Sequence, residues 1–165
     1  MVNYAVCEYR PISYNKWKKK SSEGIEYRDK LRESFKEFEP VVLRRKEGNL
    51  YGIVYYFYTR DAKIDADNIS KPVWDCLTGF LFKDDNQVKW RAAGCFDVSR
   101  EDLTANLSGL PGSVVEKLME IMDKAIYENE GKDMHVLYIE CGTLRKEMFK
   151  FNLLKDYGDQ QASAL

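Results

Sequence analysis

The sequence DADNISKPVWD occupies residues 65–75, and DDNQV follows at residues 84–88. In an extended segment, residues i and i+2 point to the same face, so Asp65 and Asp67 can converge on one point. The second stretch resembles a turn that leads into a strand, and its two carboxylates can fold back toward the first pair. The two stretches therefore predict a local concentration of acidic side chains.

A helix is predicted over residues 67–78, with Gly79 ending it, because apolar residues recur at helical spacing. Proline is tolerated in the first turn of a helix, so Pro72 favours a helix start near Ile69. The predicted apolar stripe consists of Ile69, Val73, Cys76, Leu77 and Phe80.

Carboxylates gathered at one place repel each other unless a cation lies among them. Mg²⁺, or Mn²⁺ in its place, is the natural candidate, because hard cations prefer carboxylate oxygens and also bind phosphate. Lys71, one helical turn after Asp67, can then reach a phosphate oxygen and stabilise negative charge. The combination indicates a site that cuts phosphodiesters.

Each feature taken alone also has a structural explanation. An Asp-x-Asp pair at a strand end is often only a cap or a turn, and Asp67, Asn68 or Ser70 can cap the helix that follows. Asp67 with Lys71 can be a surface pair of the i,i+4 kind. Asp75 can serve only as a partner of Lys71, and we expect Trp74 to belong to the core.

The remaining elements predict one α+β domain over residues 1–165, without repeats or a low-complexity linker. Strands are predicted at residues 2–9, 50–58, 87–92 and 135–141, helices at 22–38 and 111–127, and a polar loop at 94–110. The helix at 111–127 is expected at an interface or at the edge of a nucleic-acid channel.

Rare residues exclude several kinds of chemistry. His135 is the single histidine, which excludes His-rich zinc sites and any chemistry that needs two imidazoles. The four cysteines are far apart and form no C-x-x-C pair, as expected for reduced thiols. We found neither a signal peptide nor an apolar run long enough to cross a membrane, so we expect a soluble cytoplasmic protein.

Charge is unevenly distributed along the chain. Residues 1–100 hold 19 Lys and Arg against 15 Asp and Glu, whereas residues 101–165 hold 7 against 12. Basic clusters occur at residues 16–20, around Trp17, and at residues 44–46. Such clusters fit nucleic-acid contact, although alone they are usually solvated surface.

The ordered acidic motif resembles that of the RusA family of Holliday-junction resolvases. The matching positions are Asp65, Asp67, Asn68, Lys71, Asp75, Asp84, Asp85, Gln87 and Val88. Upstream, residues 10–15 are similar to the opening loop of that family and residues 26–28 to the start of its first helix.

The resemblance implies a small mixed β-sheet packed with helices, a homodimer, and Mg²⁺-dependent cutting of four-way junctions. It implies catalytic and metal-binding roles for Asp65, Asp67 and Asp85, a supporting metal-binding role for Asp84, and a phosphate-facing role for Lys71. The side chains expected to contact nucleic acid are Lys16, Lys18, Lys19, Lys20, Arg60, Lys63 and Lys71. Residues 94–133 would be an insertion with an extra helix, and residues 143–165 a C-terminal extension.

Three functions remain open from the sequence. The first is a Mg²⁺-dependent endonuclease that resolves Holliday junctions or related branched DNA in recombination and repair. The second is a relative whose extra acidic helix redirects it to another structured nucleic acid or gates its channel. The third is a non-catalytic nucleic-acid-binding or partner-binding module that keeps a structural cation site.

Overall fold

The structure is a computed structural model, and it describes residues 2–38, 47–60, 63–100, 104–124 and 133–148. The basic cluster at 44–46, the end of the predicted helix beyond residue 124 and the tail after residue 148 lie outside these ranges. Within them, no helix is long and apolar enough to span a membrane.

Strands and helices alternate along the described parts of the chain, which confirms the predicted α+β class. The elements are β1 (Asn3–Glu8), α1 (Ser22–Lys36), β2 (Leu50–Tyr58), α2 (Ala66–Leu77), β3 (Val88–Asp97), α3 (Gly112–Asp123) and β4 (His135–Thr143). Short 3₁₀ turns cover Tyr14–Lys16, Asp85–Gln87 and Lys146–Met148.

The strands form one mixed sheet in the order β1-β4-β2-β3. The strand β4 is antiparallel to both β1 and β2, whereas β2 and β3 are parallel. Parallel neighbours need a crossover connection, and α2 supplies it. The acidic residues of α2 and of the turn before β3 therefore belong to the same β2–α2–β3 unit.

The two faces of the sheet are covered by different helices. We call the face that carries Val54 and Tyr56 the inner face, and the face that carries Ile53 and Tyr55 the outer face. Helices α1 and α2 pack in the cluster of the inner face, and α3 packs in that of the outer face. The carboxylates of α2 thus lie on the other side of the sheet from α3, so α3 does not border them.

The strand β3 is longer than predicted. It continues to Asp97, so residues 94–97 are strand rather than the predicted loop. These residues pair with β2, and the last pair joins Tyr58 and Asp97. The ring of Phe96 stacks on that of Phe57, with ring centroids 5.4 Å apart. Gly94 lacks a side chain where the Phe96 ring lies close, which explains a glycine inside a strand.

The helix α2 begins earlier than Pro72 suggested. Its first residue is Ala66 and its N-cap is Asp65, so the start near Ile69 is wrong. Pro72 lies in the interior, where it removes one backbone hydrogen bond. At the other end, the Arg32 guanidinium donates to the carbonyls of Cys76 and Thr78, at 2.9 and 3.1 Å, and so holds the last turn of α2.

Trp74 joins α2 to the sheet. Its side chain is fully buried, as expected, and its indole Nε1 donates to the Ser70 hydroxyl at 3.1 Å. A Cβ atom on Gly52 of β2 would lie 2.3 Å from the Trp74 ring. The glycine therefore lets the indole lie directly against the strand.

Replacing Gly52 with alanine is expected to lower the free energy of unfolding by about 1–3 kcal/mol, because the added methyl overpacks the α2–β2 contact. Urea denaturation followed by Trp fluorescence measures the change. The control is Gly109→Ala, where an added Cβ meets no atom within 4 Å. Equal stability of the two variants would contradict this packing.

Candidate active site

Two exposed carboxylates stand at the start of α2. Asp65 is the N-cap residue, but its side chain makes no capping hydrogen bond. Asp67 lies in the first turn, and its Oδ1 accepts from the backbone N–H of Asn68 at 3.0 Å. The helix dipole favours negative charge at both positions. Both side chains are exposed to solvent.

Lys71 links α2 to the turn before β3. Its Nζ lies 3.0 Å from Oδ1 of Asp75 and 3.4 Å from Oδ2 of Asp85. The hydrogen bond that the ammonium donates to Asp75 raises the pKa of Lys71, partial burial opposes this, and Asp85 adds to the rise. Lys71 is therefore a permanent cation at neutral pH, suited to hold an anion rather than to accept a proton.

The turn that carries the second acidic pair is closed by a capping box. Oδ1 of Asp84 accepts from the backbone N–H of Asn86 at 2.9 Å. In return, Oε1 of Gln87 accepts from the backbone N–H groups of Lys83 and Asp84, at 2.9 and 3.1 Å. Asp84 is thus an exposed cap of the turn, a structural role that competes with the predicted supporting role at a metal.

Asp85 stands between two cations. Its Oδ2 faces Nζ of Lys71 at 3.4 Å and Nη2 of Arg91 at 3.6 Å. Burial raises the pKa of Asp85, but Lys71 and Arg91 together outweigh this and hold the pKa below its usual value. This carboxylate is therefore ionised at neutral pH and available to a cation.

The predicted metal ligands suit Mg²⁺ by their chemistry but are not gathered into a cluster. Asp65, Asp67, Asp84 and Asp85 offer carboxylate oxygens on two neighbouring segments, the donors that this ion prefers. Over the described ranges, however, no three His, Cys, Asp or Glu side chains lie close enough to hold one ion. In this conformation Lys71 and Arg91 are the cations closest to Asp85.

A basic cleft of about 430 Å³ lies beside the start of α2. Arg10, Lys16 and Lys63 line it, together with the carboxylate of Glu23. Lys63, two residues before Asp65, has a left-handed backbone with φ of 53°, which is uncommon for a residue other than glycine. The structure therefore brings Lys16 and Lys63, two predicted nucleic-acid contacts, to one place and adds Arg10.

The other basic residues are more dispersed. Lys18, Lys19 and Lys20 are exposed in the loop that leads into α1. That loop is fixed because the Ser21 hydroxyl donates to the carbonyl of Lys18 at 2.8 Å. Arg60 is exposed and faces Asp133 at 3.5 Å, so an acid balances the charge of this predicted contact.

Two structural contributions to the site, the capping box and Arg91, were not predicted from the sequence. The spacing of Asp84 and Gln87 is the signature of a capping box, so this signal was present in the sequence. The role of Arg91 was harder to predict. Arg91 pairs with Gly52 and lies on the inner face of β3, but its contact with Asp85 depends on how the turn before β3 folds.

These features define an α+β domain with an acidic, lysine-containing site beside a basic cleft. The family model described as Endodeoxyribonuclease RusA matches residues 5–101, more than half of the chain, from β1 through β3. The chain belongs to this family of endodeoxyribonucleases, which confirms the membership predicted from the acidic motif. A search of curated proteins found no match to the chain.

Replacing Lys71 with alanine is expected to change the free energy of unfolding by less than about 1 kcal/mol, because pairs between partly exposed side chains contribute little. The Lys71 side chain is 42% exposed. Urea denaturation measures this. A loss of several kcal/mol would show that Lys71 is mainly structural and would contradict its assignment as a cation that holds an anion at the site.

Proposed function

We propose that this protein is a Mg²⁺-dependent endonuclease that cuts Holliday junctions or related branched DNA in recombination and repair, with Mn²⁺ as a possible substitute. One observation carries the proposal: the Lys71 ammonium lies between the carboxylates of Asp75 and Asp85, one helical turn from Asp67. Asp75 and Asp85, two acidic residues of the family motif, are thereby joined through its lysine.

A divalent cation, when bound, would activate a water molecule and stabilise charge on the phosphate under attack. Asp65, Asp67 and Asp85 are the residues proposed to hold it. Asp84 would support them mainly by fixing the turn that carries Asp85. The described carboxylates do not form a ready cluster, and a bound ion would compete with Lys71 for Asp85.

Lys71 is the residue proposed to bind the phosphate. An ammonium has three N–H donors, and two of them have carboxylate partners here, Asp75 and Asp85. Because Lys71 stays protonated, its full positive charge would stabilise the negative charge that grows on a nearby phosphate oxygen. Asp75 would keep the ammonium in place when its contact with Asp85 is released.

The basic cleft is the proposed path of the DNA strand that leads away from the cut. Arg10, Lys16 and Lys63 would contact phosphates there, with Lys18, Lys19 and Lys20 close by in sequence. Phosphate contacts provide most of the affinity of proteins for DNA. The excess of basic residues in 1–100 supports DNA binding by this part of the chain, although the whole chain carries a formal charge of −1.

We further propose a homodimer. A four-way junction has two-fold symmetry, and two sites related by a dyad can cut matching strands. This proposal rests on the substrate and on the family, and its test is separate from that of the catalytic residues.

A non-catalytic nucleic-acid-binding module is the second candidate. The observation that favours it is the basic cleft lined by Arg10, Lys16 and Lys63, which can bind phosphate without any cutting at the carboxylates. This candidate predicts junction binding without Mg²⁺-dependent cutting, so one assay distinguishes the two functions.

Asp65→Asn and Asp85→Asn are each expected to lower the rate of junction cutting by at least 100-fold, a rough figure for losing a carboxylate that holds the ion. Junction binding should stay equal or become tighter, because the change removes repulsion toward phosphate. A labelled four-way junction, beside linear duplex and single strand, is incubated with Mg²⁺ or chelator, and its binding is measured in Ca²⁺.

The matched control is Asp123→Asn, an exposed acid at the end of α3, on the outer-face helix. Control and wild type should cut equally. Wild-type rates in either site variant would contradict the site, and binding without any cutting by the wild type would favour the second candidate. Light scattering on the same sample tests the dimer, for which the expected mass is twice 19.3 kDa.

Lys63→Gly is expected to weaken junction binding and to reduce the slope of log affinity against log salt by about one, as for the loss of one phosphate contact. Glycine accepts the left-handed backbone at this position, so the change removes the cation without straining the chain. Fluorescence anisotropy at several salt concentrations measures both quantities.

Lys30→Gln is the control for the loss of one positive charge, because Lys30 lines a different cleft, between α1 and β1. An equal salt slope for Lys63→Gly and the wild type would exclude Lys63 from the DNA path.

A further inference from the structure

We propose that Arg91 is a positioning residue for Asp85: its guanidinium fixes the turn before β3 so that the Asp85 carboxylate faces α2. The inference rests on the proposed function, because Asp85 is there a ligand of the divalent cation. It adds a residue to which the acidic motif assigns no role.

Arg91 holds the turn at two backbone points. Its Nη2 donates to the carbonyl oxygen of Asp85 at 2.9 Å, and its Nε donates to the carbonyl oxygen of Val88 at 3.3 Å. The same Nη2 lies 3.6 Å from Oδ2 of Asp85. One guanidinium therefore contacts the main chain at both ends of the turn as well as the acidic side chain that the turn presents.

The geometry requires an arginine rather than any cation. A guanidinium is planar and presents its N–H donors in a rigid fork, whereas an ammonium is a point charge on a flexible stem. Arg91 uses two different nitrogens for Asp85 and Val88. A lysine at this position could keep the charge, but it could not make both contacts in fixed directions.

Arg91 also stands on a rigid support. It is part of β3 and pairs with Gly52 of the strand β2. Side chains that orient a ligand residue act best from regular elements, since these hold positions more tightly than loops do. The Arg91 and Asp85 side chains are each 30% exposed, so water only partly screens their contact.

Asp85 contacts two cations, Lys71 and Arg91, for which we propose different roles. If Lys71 turns to a phosphate, Asp85 loses one partner, and Arg91 remains to keep the carboxylate in place. Arg91 would thus act through Asp85 on the bound ion without touching the substrate. Groups that orient metal ligands in this way typically affect metal affinity or activity by about 10–100-fold.

The test compares Arg91→Ala and Arg91→Lys with the wild type and with Lys89→Gln, an exposed lysine of the same strand that controls for lost charge. Mn²⁺ binding is measured by electron paramagnetic resonance of the free ion, and junction cutting is resolved into kcat and KM. Urea denaturation confirms that each variant is folded.

Arg91→Ala is expected to weaken Mn²⁺ binding and to lower kcat by about tenfold or more, with KM within about twofold. Arg91→Lys should recover only part of both losses, and Lys89→Gln should match the wild type. Wild-type Mn²⁺ affinity in Arg91→Ala, or full recovery in Arg91→Lys, would overturn the positioning role.

Failure of the proposed function is distinguishable from failure of this inference. If the wild type binds Mn²⁺ but cuts no junction, the proposed endonuclease is wrong, and Arg91 is still judged by the Mn²⁺ affinities. If the wild type binds no Mn²⁺, or if Asp85→Asn binds it as tightly as the wild type, both are wrong.

Discussion

The position of the site depends on the close contact between α2 and the central strand β2. Gly52 has no side chain beneath Trp74, so the indole lies directly on the strand, and Arg32 fixes the last turn of the helix. A helix held at both points keeps Lys71 near the turn that follows it. The distance of 3.4 Å between Lys71 and Asp85 is thus a consequence of core packing as much as of charge.

Lys71 and Arg91 are the cations that face Asp85 in the described part of the chain. Lys71 and Arg91 lower the electrostatic cost of an ionised Asp85, while Asp65 and Asp67 stay exposed at the helix start. Under the proposed function, a divalent cation would compete with Lys71 for Asp85, and the released ammonium would then bind a phosphate.

The fold class and the central elements could be predicted because hydrophobic spacing determines them, and the family could be predicted because its acidic motif is ordered and specific. The extent of β3 could not, since Gly94 looks like a break until its pairing with β2 is known. The helix start was missed because tertiary packing tolerates Pro72 in the interior. The contacts of Asp85 with Lys71 and Arg91 could not be predicted, because the three side chains come from different elements and no local pattern specifies how they meet. The site residues and the role of α3 at an interface remain predictions. Because α3 lies on the outer face of the sheet, it cannot cover the carboxylates of its own chain in this structure, which argues against a gating role there.

The most direct test of a single cation centre shared by the two acidic segments is anomalous diffraction from crystals of the protein soaked with Mn²⁺. We expect an anomalous peak in contact with carboxylates from both segments, Asp65 or Asp67 on one side and Asp85 on the other, with Lys71 moved away from Asp85. A peak bound elsewhere, or Asp85 still paired with Lys71 while Mn²⁺ occupies another site, would contradict the proposed centre.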